Sequence, residues 1–301
     1  MAILDTEIKM TFRGQEFNNT VYTDYVMLYD IPEGMSSPGI RSNNTEKQGQ
    51  HGMSDYLSYY NGRNITLTGK IVAQTIAGRK VLEDNIRRIF SLPGIQSASN
   101  SGYYTLYIDE SGEIDTPAVG EGLKQIDVKV SVGVEFSKIS GEGNMRDFIV
   151  TLFAKDPTYK SQTLNVENII EAYEGTSFQL ETLLPVTISA QTYNIGTITN
   201  SGNFAVPALY NIQGEAVNPK LENTTTGRFM QINETVTAGD ELIIDVELGT
   251  IELNGTDVSA SMTNDSQWIF LEPGNNSFEL TDDTPVSLEA TCDVTWRDGW
   301  I

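Results

Sequence analysis

QIDVKVSVGVEFS, residues 125–137, decides the fold class. Ile126, Val128, Val130, Val132, Val134 and Phe136 alternate with Asp127, Lys129, Ser131, Gly133 and Glu135. A period of two puts the apolar set on one face of a strand and the polar set on the other, as in an antiparallel sheet with one wet face. A glycine-rich turn, SGEGN at 140–144, follows, and then Phe148, Val150, Leu152 and Ala154 alternate again. The two runs predict one long hairpin. Outward from it, residues 20–31 (TVYTDYVMLYDI), 63–73 (RNITLTGKIVA) and 103–108 (YYTLYI) are rich in β-branched and aromatic residues and are also expected as strands.

One helix is expected, over 78–92, where Leu82, Ile86, Ile89 and Phe90 recur at helical spacing and Pro93-Gly94 ends the run. Arg79, Lys80, Asp84, Arg87 and Arg88 are assigned to its solvated face. Arg87-Arg88 are expected as a cationic last turn rather than a phosphate site. Residues 32–62, punctuated by Gly34, Pro38, Gly39, Gly49, Gly52 and Gly62, form a long polar connection of the kind that makes contacts. DESGEID at 109–115 lacks the ligand spacing of a calcium loop and is expected as a solvated turn.

The texture changes at Lys155-Asp156-Pro157, where proline interrupts a ladder. Beyond it come many short alternating segments: 184–190, 210–217, 228–232, 241–247, 250–253, 267–271 and 277–280. A last strand has Val286, Leu288, Ala290, Cys292, Val294 and Trp296 on one face. Asn254-Gly255 and the 272–275 turn separate neighbours. This reads as a β-sandwich, so the expected boundary separates 1–155 from 156–301. The charge divides there too. The first part carries 19 acidic and 15 basic side chains, net −4, and the second 22 and 4, net −18. So acidic a second half is a poor binder of nucleic acid and of anionic membranes.

The chemical repertoire is narrow. With one cysteine, Cys292, and one histidine, His51, the 301-residue chain has no intrachain disulfide, which suits a reducing cytoplasm, and zinc is nearly excluded. No apolar run is long enough to span a membrane, and the first residues do not read as a signal peptide. His51 is expected as an exposed loop residue and Cys292 as a small core residue. The acidic pairs Asp109-Glu110, Asp240-Glu241 and Asp282-Asp283 are expected in turns or on the surface, because neighbours on a strand point to opposite faces. No catalytic, cofactor-binding or metal-binding residue is therefore assigned, and no cofactor is expected. Eight N-x-[ST] sequons, Asn223, Asn233 and Asn254 among them, are read as turn composition. Trp296 is expected in the core; Trp300, beside Arg297, is left open between a partner contact and a sugar platform.

Three stretches together resemble the distal tail protein family of siphophages. They are EGMSSPGIR (33–41) with QHGMSDYLSYYNGRNITLTGKI (50–71), AKDPTYKS (154–161), and an ordered set between 211 and 280. The ordered set contains G-x-x-x-N-P-x-x-x-N at 214–223, A-G-D-x-L-x-I-D at 238–245, L-N-G at 253–255 and L-x-P-G-N-N at 271–276. The resemblance implies a mostly β chain with a tail-tube-like sandwich or barrel carrying one helix (1–155) and a galectin-like β-sandwich (156–301). It implies a structural, non-enzymatic virion protein assembled in the host bacterial cytoplasm. A homo-hexameric ring would join the tail tube protein to the tail tip or tail-associated protein and to a receptor-binding protein. DNA would pass through its channel without specific binding, and no membrane would be engaged. The competing expectation is a saccharide-binding module, with Tyr193 and Trp300 as exposed aromatic candidates. A carboxylate glycosidase is a third, supported only by scattered acids.

Overall fold

The computed structural model describes residues 8–19, 22–42, 44–47, 51, 53–54, 56–92, 102–109, 123–140, 143–170, 196–283 and 290–301. The chain is mostly β, with one α-helix among these residues. It divides into two compact units, Met1–Thr163 with Ile301, and Leu164–Trp300. The division falls after Asp156-Pro157 because the next segment, Tyr159–Ser161, turns back onto the first unit's sheet.

Unit 1 contains β1 (Lys9–Phe12), β2 (Gln15–Phe17), β3 (Tyr25–Leu28), the short strands β4 (Ile40–Arg41), β5 (Thr45–Glu46), β6 (Met53–Ser54) and β7 (Tyr59–Tyr60), β8 (Arg63–Val72), helix α1 (Ile76–Ile89), β9 (Tyr104–Asp109), β10 (Leu123–Ser140), β11 (Met145–Ala154) and β12 (Tyr159–Ser161). The main sheet runs β2-β1-β9-β10-β11-β8-β3, antiparallel throughout, with β12 on β10. Asn18 draws its two ends together. Held at φ 63°, it donates its N–H to Val26 O (2.9 Å), accepts at Oδ1 from Leu28 N (2.6 Å), and donates from Nδ2 to Ile8 O (2.8 Å).

The hairpin read at 125–154 is present, yet its apolar face is only half buried. Ile126 and Val128 are in the core, whereas Val132 is exposed and Val130, Val134 and Phe136 are half-buried. Register shifts after Val130, Val132 and Phe136 explain this, because each changes which neighbours the next side chains meet.

Helix α1 starts two residues earlier than expected. Thr75 caps it, its hydroxyl accepting from Gly78 N at 3.0 Å. At the other end Arg13 donates to Ile89 O (2.6 Å) and Ser91 O (3.2 Å), serving the orphan carbonyls of the last turn. The buried face, Ile86, Ile89 and the following Phe90, meets an aromatic group from the sheet. Phe90 stacks on Phe12 at 5.4 Å and lies 6.2 Å from Phe17, itself 6.5 Å from Phe148. Arg79, assigned to the wet face, is instead buried. It pairs with buried Glu83 one turn on and donates from Nε to Gly143 O at 2.7 Å. Arg146 of β11 reaches the other Glu83 oxygen at 3.1 Å. An ionic cluster thus ties the helix to the hairpin.

Unit 2 is a two-layer sandwich built from β13 (Asn165–Ile170), β14 (Gly196–Asn200), β15 (Val206–Pro207), β16 (Leu209–Gln213), β17 (Ala216–Val217), β18 (Lys220–Asn223), β19 (Arg228–Gln231), β20 (Thr235–Val236), β21 (Glu241–Asp245), β22 (Thr250–Leu253), β23 (Thr256–Asp257), β24 (Phe270–Leu271), β25 (Gly274–Thr281) and β26 (Thr291–Trp296). One sheet is β13-β26-β16-β21-β22-β23, the other β14-β25-β18-β19, with β15-β24 and β17-β20 as small pairs. Tyr210 of the first and Phe278 of the second, both fully buried, approach to 5.9 Å. Buried Ile212, Leu221, Met230, Leu242, Ile244 and Val294 belong to the same core. The Asn254-Gly255 turn has both residues at positive φ, 50° and 76°, as its type requires. The segments expected at 184–190 and at Val286 and Leu288 lie outside the described residues.

Candidate assembly interface

The long connection of unit 1 is a β-arm. Its strands nest as two antiparallel pairs, Ile40↔Tyr60 with Arg41↔Tyr59, and Thr45↔Ser54 with Glu46↔Met53. Neither pair joins another strand among the described residues. Such two-stranded ribbons are marginal alone in water. The arm nevertheless exposes Ile40, Met53, Tyr56, Leu57, Tyr59 and Tyr60, with Leu57 79% accessible. Directly paired residues share a face, so Ile40 and Tyr60 lie on one side and Arg41 and Tyr59 on the other. Apolar residues therefore lie on both sides of a thin arm, which makes it the candidate contact surface of unit 1.

The arm's base, by contrast, is tightly held. Glu33 bridges to Thr66, whose N–H donates to Glu33 O at 2.9 Å, and Asn61 N donates to Gly39 O at 2.7 Å. Gly34 has φ +85° and lies against Asn64, whose carbonyl a Cβ would strike; a Cβ on Gly62 would lie 2.6 Å from Ala154 O.

In unit 2 three fully buried asparagines hold the turns at one end of the smaller sheet. Asn276 donates to Glu272 O (2.8 Å) and Gly274 O (3.1 Å) and accepts from Glu272 N (3.0 Å) and from Asn223 Nδ2 (3.0 Å). Asn223 accepts in turn from Thr225 N (3.1 Å) and Thr226 N (3.3 Å). Asn200 donates to Phe204 O (2.9 Å) and Leu271 O (3.1 Å). Asn223 of the G-x-x-x-N-P-x-x-x-N element and Asn276 of the L-x-P-G-N-N element are therefore turn scaffolds.

The chemically suggestive residues are dispersed. His51 is exposed in the arm. Cys292 is fully buried, and burial pushes its thiol well above the ordinary range. As the chain's single cysteine it is expected to stay unlabelled by a thiol reagent in native protein and to react stoichiometrically in denaturant. Rapid native labelling would contradict this packing.

Asp240 accepts from the hydroxyl and N–H of Thr237 and from Asn254 Nδ2, and these bonds, that of the hydroxyl first, hold its carboxyl below the usual range. Asp282 accepts from Val217 N (3.0 Å) and Asp283 from Asn218 Nδ2 (2.8 Å). Glu241 accepts from Gln213 (3.3 Å). Arg87 pairs with Asp84 (3.1 Å), and Arg88 donates to Asn85 Oδ1 (2.6 Å). Trp296 is buried, its indole N–H on Asp298 at 3.1 Å, and Trp300 is half-buried. Asp109 ends β9, while Glu110 to Asp115 and Tyr193 lie outside the described residues. Among the described residues no three His, Cys, Asp or Glu side chains converge, and no helix is long and apolar enough to cross a membrane.

Fold and surface together define a two-unit β protein with an apolar arm and no convergent reactive group among the described residues. Residues 201–300 match the family model described as the siphovirus-type tail component, C-terminal domain. No curated protein matches the chain in sequence. Among solved structures, the Dit protein of phage SPP1, titled a paradigm of the hub adsorption apparatus in phages infecting Gram-positive bacteria, is similar at 12% identity. It covers 96% of this chain and 98% of its own, with a TM-score of 0.61. The phage P2 baseplate in its activated conformation with Ca is also similar, at 12% identity, 96% and 97% coverage and a TM-score of 0.41. The ordered motifs between 211 and 280 thus fall within the residues that match the tail-component model, and the chain is similar in its mostly β fold to SPP1 Dit.

Proposed function

We propose that this protein is a structural component of the distal tail of a siphophage, a hub ring without enzymatic activity. The observation that carries the reading is the match of residues 201–300 to the siphovirus-type tail component. The fold shared with SPP1 Dit supports it over the rest of the chain. In this reading 1–155 and 156–301 act as separate domains, and six copies close through the first. Heterologous contacts that close on themselves give rings, and the nearly neutral part is the one that tolerates crowding round an axis. The second part, at −18, sits at the periphery, where a Debye length of about 8 Å screens its copies from one another. The ring joins the tail tube protein to the tip and receptor-binding proteins, passes DNA without reading it, and resides in the virion.

Light scattering on purified protein tests this directly, with a six-copy mass expected. Deleting residues 42–49, which removes β5, is expected to weaken the ring and leave both units folded. A strictly monomeric wild type at all concentrations, alone and with its tube partner, defeats the ring. Binding on a glycan array that is lost with Trp300→Ala would favour the saccharide-binding alternative.

A further inference from the structure

We infer that Arg63 is the positioning residue of the arm, a tethered cation that locks the arm's first leg to the sheet and fixes its direction. Arg63 opens β8 and is 3% exposed. Its Nη1 faces four oxygens: Gly34 O at 3.2 Å, Met35 O and Ser36 O each at 3.0 Å, and Tyr159 Oη at 2.9 Å. The guanidinium lies over the Tyr159 ring, 4.3 Å from its centroid, and the Tyr159 hydroxyl donates onward to Met35 O at 3.4 Å. Nε and Nη2 find no hydrogen-bond partner among the described residues.

That asymmetry is informative. A guanidinium usually serves as a planar fork binding two acceptors side by side. Here one nitrogen meets every acceptor, and three of the four are consecutive carbonyls of the leg leading to β4. Three carbonyls turned inward on one cation cannot be those of a regular strand, where successive carbonyls point to opposite sides. The cation therefore holds the leg in a bend that Gly34, at φ +85°, makes accessible. Beyond Ser36 the arm pairs only with itself among the described residues. The direction of the arm and of its exposed apolar side chains is thus set at this root. The inference stands on the local geometry and holds whether or not the protein forms a ring.

The test is limited trypsin digestion and amide exchange on the full chain, since Arg41 and Lys47 are exposed cleavage points on the arm. In Arg63→Met, cleavage there and exchange at Thr66 and Asn61 are expected to rise roughly ten- to a hundredfold, the opening expected when charge-assisted hydrogen bonds are lost. Exchange in β9 and β10 should stay at the wild-type rate. Because the cage meets a single nitrogen, Arg63→Lys should restore most of the protection, although an arginine fork would not normally tolerate lysine. Gly34→Ala should loosen the same sites with Arg63 still present. Cleavage of Arg63→Met at the wild-type rate overturns the inference. So does a uniform rise of exchange across unit 1, which would make Arg63 a core residue, and so does an Arg63→Lys variant as open as Arg63→Met.

Discussion

Replacing Glu83 with alanine is expected to destabilise unit 1 by about 3–5 kcal/mol, the cost of leaving a buried charge without its partner. Glu83 is 4% exposed and is approached by Arg79 in its own helix and by Arg146 of β11. Without it, Arg79 keeps only the Gly143 carbonyl in an apolar setting, and the helix loses its tie to the hairpin. Glu83→Gln keeps the shape and one acceptor, so its loss should be smaller. The double change Arg79→Met with Glu83→Leu should recover most of the stability, because two apolar side chains satisfy each other where one charge cannot. All three tryptophans, at 268, 296 and 300, lie in unit 2. Urea unfolding followed by circular dichroism should therefore show the Glu83→Ala shift, while tryptophan emission should not. A circular-dichroism midpoint unchanged from wild type would mean that the cluster is a solvated surface pair after all.

The second large effect belongs to Asn276. Alanine there removes four hydrogen bonds from a fully buried position and strands Glu272 N, Gly274 O and the Asn223 amide away from water. A loss of about 2–4 kcal/mol is expected, since each buried group left unpaired costs roughly 1–3 kcal/mol and some recover solvent as the turn opens. Here the tryptophan transition should move. Asn276→Asp should be no better, because a carboxylate accepts but cannot donate to the two carbonyls. The Asn223→Ala and Asn276→Ala losses should sum to more than the double variant shows, as they share a bond. Strict additivity would place the two side chains in separate networks.

Much of this fold is legible in the sequence because its strands keep one wet face. Residues 291–296 alternate polar and apolar without interruption, and every second residue from Phe148 to Ala154 is apolar; the structure buries Phe148, Val150, Leu152 and Ala154, and Cys292, Val294 and Trp296. The arm was not legible as strand. Its ladders are two residues long, and no alternation can register in two residues. Arg79 and Glu83 sit at the spacing of an ordinary exposed helix pair. What turns them inward is Gly143 and Arg146, some sixty residues away, which no local pattern reveals. Arg63 was hidden for the same reason, its carbonyl acceptors being 27 to 29 residues upstream and the Tyr159 hydroxyl 96 downstream. The asparagines of unit 2 were visible as motif letters, but their burial follows only once two distant turns meet.

That burial makes the folded sandwich and a glycan on Asn223 mutually exclusive. Asn223-Thr224-Thr225 is an acceptor sequence for a secretory oligosaccharide, which is attached to the growing chain at the same Nδ2 that here donates to Asn276 inside the protein. A glycan there demands solvent, and the native turn offers none. Molecules produced through a eukaryotic secretory route and modified at this residue would be barred from the closed sandwich, whereas a sugar on exposed Asn254 would leave the core untouched.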